Sequence, residues 1–178
     1  MKKAFTLLEV VLVCALLSLL ALCLFKAHKH CDSLFLSLSA QHLSDTIGYL
    51  QLQAHQTGVP QTLFLEISHN TYCYASDKPQ AIIRQHLGYG CRFGTPKGAH
   101  GPPAKPTTLL TGATTFPQST TPDHYEIAID VQGTCSPGAI YLTNHGRTEG
   151  YALTSTRASV QPIKAYRYQT GKWIKHTW

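Results

Sequence analysis

Glu9 is the only charged side chain in an apolar run that extends from Phe5 to Phe25. A run of that length can cross a bilayer as one helix, since a span takes roughly 20 residues. A carboxylate near the membrane centre costs about 2.5–3.5 kcal/mol on insertion scales, and less close to an interface. A charge kept in such a place points to pairing chemistry. If the chain is cut between Ala4 and Phe5, the new α-amine stands one helical turn from Glu9, because positions i and i+4 share a face. Phe5 and Glu9 would then be the first candidate pair, with Ala4 on the other side of the cut.

Ten histidines and six cysteines are the other candidates for chemistry. His28-Lys29-His30-Cys31 invites a metal, but His28 and His30 stand two apart and do not face each other on a helix. His28 with Cys31 fits geometrically, and a solvated boundary cluster accounts for the same residues. Asp123, Glu126 and Asp130 lack the spacing of an EF-hand loop. Neither a Gly-x-Ser-x-Gly elbow nor a His-Glu-x-x-His helix occurs. Gly88, Gly90, Gly94 and Lys97 do not make a nucleotide fingerprint. The expectation is no metal, no cofactor and no enzyme. Cys14 and Cys23 lie in the apolar run and read as small hydrophobes. Cys31, Cys73, Cys91 and Cys135 lie beyond it, where an oxidising exterior permits two disulfides in three connectivities. A Cys73–Cys91 bridge is the expected pairing, since both occupy predicted adjacent strands, with free buried thiols as the alternative.

These residues need elements to hold them. Leu36, Ala40, Leu43, Ile47, Leu50 and Ala54 recur at spacings of four and three, a stripe on one helix face. Ser37, Ser39, Gln41, Ser44, Asp45, Gln51 and Gln53 fill the solvated side. Thr57-Gly58 and then Pro60 stop the helix. One helix from Phe5 to about Gln56 is predicted, about 75 Å long at 1.5 Å per residue. Its stripe is too short for a free coiled coil and is expected to pack on the downstream domain. Strands are predicted at Thr62–Ile67 and Thr71–Ala75, a hairpin over Ser68-His69-Asn70, and at Ala81–Leu87 and Tyr89–Phe93. Residues 94–106 read as an exposed loop. Further strands are predicted at Thr107–Leu110 and Thr114–Phe116, and along the alternation Tyr125, Ile127, Ile129, Val131. Ala139–Leu142 and Tyr151–Thr154 flank a turn at Asn144-His145-Gly146. Ile163–Tyr168 and Lys172–Ile174 form a hairpin with Gly171 in its turn. The fold class is α+β, a long helix laid on a β-rich C-terminal domain. The predicted division is 1–4, 5–57 with a transmembrane part 5–25, and 58–178.

Lys2-Lys3-Ala4-Phe5-Thr6-Leu7-Leu8-Glu9, followed by the apolar run, resembles the N-terminal signature of type IV pilins and pseudopilins. The resemblance implies that 1–4 is a leader, that a prepilin peptidase cuts after Ala4 and methylates Phe5, and that Glu9 pairs with the amine of a neighbouring subunit. Ala4 stands where the family usually has Gly, and alanine is small enough for the same pocket. The order of later elements is similar to the H-type minor pseudopilins of type II secretion and their relatives in fimbrial and competence systems. Thr114-Thr115-Phe116, then Gly138 to Leu142, then closing strands ending Arg167-Tyr168 and Gly171-Lys172-Trp173 carry that likeness. It implies a pilin-like fold and a structural subunit of a pilus-like fibre that supports protein export. The implied partners are other pilin or pseudopilin subunits, the peptidase, an inner-membrane assembly platform, membrane lipid and an exported protein. The implied location is the inner membrane, single-pass, with the C-terminal domain in the periplasm or outside.

A secretory signal peptide has a shorter apolar stretch and no glutamate near its start. Leu20-Ala21-Leu22-Cys23 looks like a lipobox, but Leu22 is bulky where a small residue is required. About 150 of the 178 residues follow Phe25, a typical size for one domain. The net charge is +6, yet only 13% of residues are charged. Outside Lys26-Ala27-His28-Lys29-His30 the basic residues are scattered, and a nucleic-acid binder needs a basic face. That cluster reads as a headgroup boundary with snorkelling lysines. Two alternatives stay open: a competence or type IV pilus minor pilin that binds DNA, and a membrane-anchored extracytoplasmic binding module. The second would use a patch of Tyr166, Arg167, Tyr168, Lys172 and Trp173.

Overall fold

The computed structural model describes residues 7–75, 81–101, 108–121, 123–156 and 163–178, with the backbone course alone at 25 and 27–30. Residues 1–4, Ala4 among them, and Phe5 thus lie outside the described residues. The helix α1 (Leu7–Thr57) runs unbroken for 51 residues, about 77 Å at 1.5 Å per residue. It ends where Gly58 takes a positive φ of 66° and its N–H donates to Ala54 O at 3.0 Å. That is a left-handed cap, which glycine adopts without a Cβ penalty. Leu36, Ala40, Leu43, Ile47, Leu50 and Ala54 are all fully buried, as their spacing predicts.

The strands are β1 (Gln61–Glu66), β2 (Thr71–Ala75), β3 (Ile82–His86), β4 (Cys91–Phe93), β5 (His124–Ile129), β6 (Gly138–Asn144), β7 (Gly150–Ser155), β8 (Lys164–Gln169) and β9 (Lys172–His176). They make two antiparallel sheets, ordered β3-β2-β1-β5 and β4-β6-β7-β8-β9. The fold is therefore α+β. Side chains alternate between faces along a strand, so the register fixes what points inward. Leu63, Leu65, Tyr72, Ile127 and Ile129 come from the first sheet and Phe93, Ile140, Leu142, Tyr151 and Leu153 from the second. All join the helix stripe in one core. The helix contacts β1 and β5 of one sheet and β4, β6 and β7 of the other. It lies along the seam, and the hairpins β2–β3 and β8–β9 reach past it on either side. The last hairpin turns through Thr170 and Gly171, both at positive φ (49° and 80°). Their handedness matches the strand twist.

Several expectations are corrected. No strand forms at 108–110, the described part of Thr107–Leu110. Leu110 instead lies across the outer face of the five-stranded sheet, beside Tyr141, Ala152, Tyr166 and Trp173. Residues 94–101 are not a wholly exposed loop, since Thr95 and Ala99 are buried and Trp173 Nε1 donates to His100 O at 2.7 Å. Apolar area on that outer face needs a cover, and this segment supplies it. Thr114–Phe116 makes only an isolated bridge, Thr114 to Ile140, and four residues on Gln118 bridges to Tyr125. The segment crosses from one sheet to the other. Val131 is exposed, because Asp130 Oδ1 accepts from the N–H groups of Gln132 and Thr134 at 2.9 and 2.8 Å and turns the chain.

The Cys73–Cys91 bridge is also corrected. Both thiols are free. Cys73 pairs with Phe64 and Arg84 in the four-stranded sheet, whereas Cys91 pairs with Asn144 in the five-stranded one. Cys91 joins the core while Cys73 stands on the other face of its strand from the core residues Tyr72 and Tyr74. Strands close in sequence thus belong to different sheets.

Candidate assembly surface

The window Leu7–Leu24 is long and apolar enough to cross a membrane, and none of it is buried within the chain. Glu9 sits in its first turn, also exposed. Ser18, the other polar side chain of the middle of the run, turns back so that its Oγ donates to Cys14 O at 2.8 Å. A hydroxyl satisfied by its own helix costs little in an apolar surrounding. Ala4 and Phe5 lie outside the described residues, so Glu9 alone of that trio has a described position.

Exposed apolar side chains recur on the helix past the run. Leu34, Leu38 and Leu52 are 54%, 59% and 54% exposed, and Phe35 and Tyr49 are exposed with them. Positions 34, 38, 49 and 52 are separated by near-whole turns of a 3.6-residue helix. They form two apolar patches, Leu34 with Leu38 and Tyr49 with Leu52, on the side of α1 opposite the buried stripe, and Gln41 and the exposed Asp45 lie between them on that same face. The solvated side expected from Ser37 to Gln53 therefore carries two apolar patches. The same 3.6-residue count, applied to Leu34, Leu38 and Leu52, was the signal that would have found it.

The helix is held at a fixed angle to the β domain. Ser33 Oγ donates to Glu149 Oε2 at 3.0 Å, and Arg167 Nη2 donates to Ser33 Oγ at 3.0 Å and to Glu149 Oε2 at 3.2 Å. The Arg167 guanidinium also lies 6.0 Å from the centre of the Tyr151 ring. Further along the helix, Ser39 Oγ accepts from Gly88 N–H at 2.9 Å. These contacts tie helix, β6–β7 turn and β8 together at the end of the domain nearest the apolar run.

The aromatic and basic patch of the binding-module alternative is not assembled. Tyr168 pairs with Trp173 and Arg167 with Ile174, so Tyr166, Tyr168 and Trp173 share one face while Arg167 turns to the helix. Tyr168 is buried besides. Among the described residues no three His, Cys, Asp or Glu side chains gather as a metal site, and the side chains of His28 and His30 lie outside them. Burial pushes the thiols of Cys73, Cys91 and Cys135 up, that of Cys135 to about 11. A thiol held protonated is a poor nucleophile and a poor ligand. Tyr72, raised by burial too, donates to Gln85 Oε1 at 2.7 Å and stands 2.6 Å from His42 Nδ1. That chain fixes β2 and β3 against the helix.

No family model, no curated protein and no solved structure matches this chain.

Proposed function

We propose that this chain is a structural subunit of a pilus-like fibre, of the minor pseudopilin kind, in a type II secretion or related machine. The helix inserts once in the inner membrane, with the β domain on the far side. A prepilin peptidase removes residues 1–4 and methylates Phe5. Each Glu9 then meets the new amine of a neighbouring subunit while the helices bundle. The carrying observation is Glu9 inside an unburied apolar helix surface, with exposed leucines at 34, 38 and 52 further along the same helix. Water tolerates the exposed leucines past the span singly, so the demand for a partner comes from the span itself, where an apolar surface carries a carboxylate. An ordinary membrane anchor has no use for a carboxylate within the membrane. The protein's role in this reading is mechanical, and the junction at Ser33, Glu149 and Arg167 transmits the position of the helix to the exterior domain.

The deciding experiment is the N-terminal mass of the full chain taken from its native membrane. A chain that starts at methylated Phe5 is the expected result. An intact Met1, or a lipidated Cys23, overturns the proposal.

A further inference from the structure

A small cavity of about 230 Å³ opens on the outer face of the five-stranded sheet, at its β4 edge. Arg92, from β4, and Arg147, from the β6–β7 turn, both line it, with Thr95, Thr111, Gly112 and Thr143 between them. Arg92 Nη2 donates to His145 O, but its Nε is buried without any hydrogen-bond partner. Arg147 uses its Nε on Thr95 O at 3.0 Å. Among the described residues the ion pairs of arginine are those of Arg84 and Arg167, so neither Arg92 nor Arg147 meets a carboxylate.

A buried guanidinium N–H without an acceptor costs about 1–3 kcal/mol, and native proteins rarely leave one without a reason. Two guanidiniums on one polar cavity also repel each other. An anion held by their Nη groups removes the repulsion. Arginine forks match the oxygens of a phosphate group in pairs, at short charge-assisted distances. Arg147 itself holds a positive φ of 56°, and its backbone is pinned by its N–H to Asn144 O at 3.0 Å and by Lys97 N–H to its carbonyl at 2.9 Å. The turn's backbone is thereby fixed, and the Nε–H bond to Thr95 O sets the guanidinium beside the cavity.

We propose that the Arg92–Arg147 cavity is an oxyanion site that takes a phosphate group, supplied as inorganic phosphate or as the headgroup of a phospholipid. The second source lies toward the same end of the domain, because Glu149 of the same turn is bound to Ser33. Ser33 lies nine residues past Leu24, where the apolar window ends, or about 14 Å along the helix. The phospholipid source rests on the membrane-anchored reading of the function. The inorganic source does not.

The test uses the full chain, nitrogen-15 labelled, in maltoside micelles that contain no phosphate. Inorganic phosphate is added against chloride at matched ionic strength, and the Arg92 Nε–H resonance is followed. A saturable shift with phosphate and none with chloride is expected, and in Arg147→Gln the affinity falls about tenfold or more. The chain is then placed in phosphatidylglycerol nanodiscs. A resonance already at its phosphate-bound position, unmoved by added phosphate, assigns the site to headgroups. One that still titrates assigns it to the free ion. No saturable shift in micelles, an equal response to chloride, or unchanged affinity in a folded Arg147→Gln overturns the proposal. The wild-type titration stands alone if that variant does not fold.

Discussion

At the scale of single residues, burial decides what each polar group can do. Glu66 has a side chain only 4% exposed, and it accepts from Arg84 Nη2 at 2.7 Å and from Thr71 Oγ1 at 2.8 Å. His69 and His124 approach the same carboxylate at 3.9 Å. Removing the guanidinium leaves that charge short of a donor, so Arg84→Met lowers stability by about 1–3 kcal/mol in denaturant unfolding. Glu66→Gln, which keeps an acceptor for Thr71, costs less, and a larger loss for Glu66→Gln than for Arg84→Met would contradict this account. Cys135 gives a pH dependence. Burial lifts its thiol from 9.0 to about 11, so the folded chain holds that proton between those values while the unfolded chain releases it. Stability must fall as pH rises through this window. The loss from Cys135 alone is about 1.4 kcal/mol at pH 10, and Cys135→Ala should flatten the alkaline limb by that amount. Cys73, Cys91, Tyr72 and Tyr141, all raised by burial, add to the same limb and remain in the variant.

The helix has two faces with different work to do, and substitution separates them. Leu43 is fully buried, so Leu43→Ala costs about 2–5 kcal/mol through lost burial and a cavity. Leu38 is 59% exposed on the opposite face, and Leu38→Ala changes the stability of the isolated chain by no more than about 0.5 kcal/mol. Thermal unfolding of the two variants in detergent checks the contrast. Gly150 limits the β6–β7 ladder in another way. A Cβ there would stand 2.9 Å from Leu142 O and 2.5 Å from Pro96 Cγ, so Gly150→Ala costs about 1–3 kcal/mol. Elements governed by local period were legible in the sequence, among them the buried stripe, the hairpin β1–β2 and the Gly171 turn. Features set by distant partners were not. Thr107–Leu110 has strand-like residues, but the outer face of β6, β7 and β8 draws Leu110 across it. Arg167 and Trp173 read as one patch until the register put them on opposite faces. The Arg92–Arg147 cavity joins a strand to a turn fifty-five positions on, and no spacing rule announces it.

For the molecule as a whole, the arrangement of surfaces argues for an assembled state. The β domain closes its own core with the second half of α1, yet among the described residues the helix keeps its first half and the leucines at 34, 38 and 52 exposed. Lipid can cover the span from Leu7 to Leu24, but it cannot reach Leu52, about 42 Å further along the helix. A neighbouring helix can cover both at once, and only a parallel neighbour would keep its apolar and polar halves level with these. Such a bundle has no unique axial register from leucine packing alone, because sliding by a turn preserves apolar contact. Glu9 would supply the register, since in a low-dielectric surrounding a carboxylate without its amine is strongly disfavoured. Glu9→Val should therefore insert and fold as the native chain does, with an unchanged melting curve, while its incorporation into the proposed fibre falls about 150-fold or more, the equivalent of 3–5 kcal/mol. Crosslinking between helices in native membranes measures that incorporation. Replacing Leu34, Leu38 and Leu52 together by Asn should give a different failure, in which crosslinks near Glu9 persist and those above the membrane disappear. If Glu9→Val assembled normally while the triple variant did not, the register would come from those leucines, and the carboxylate would need another purpose.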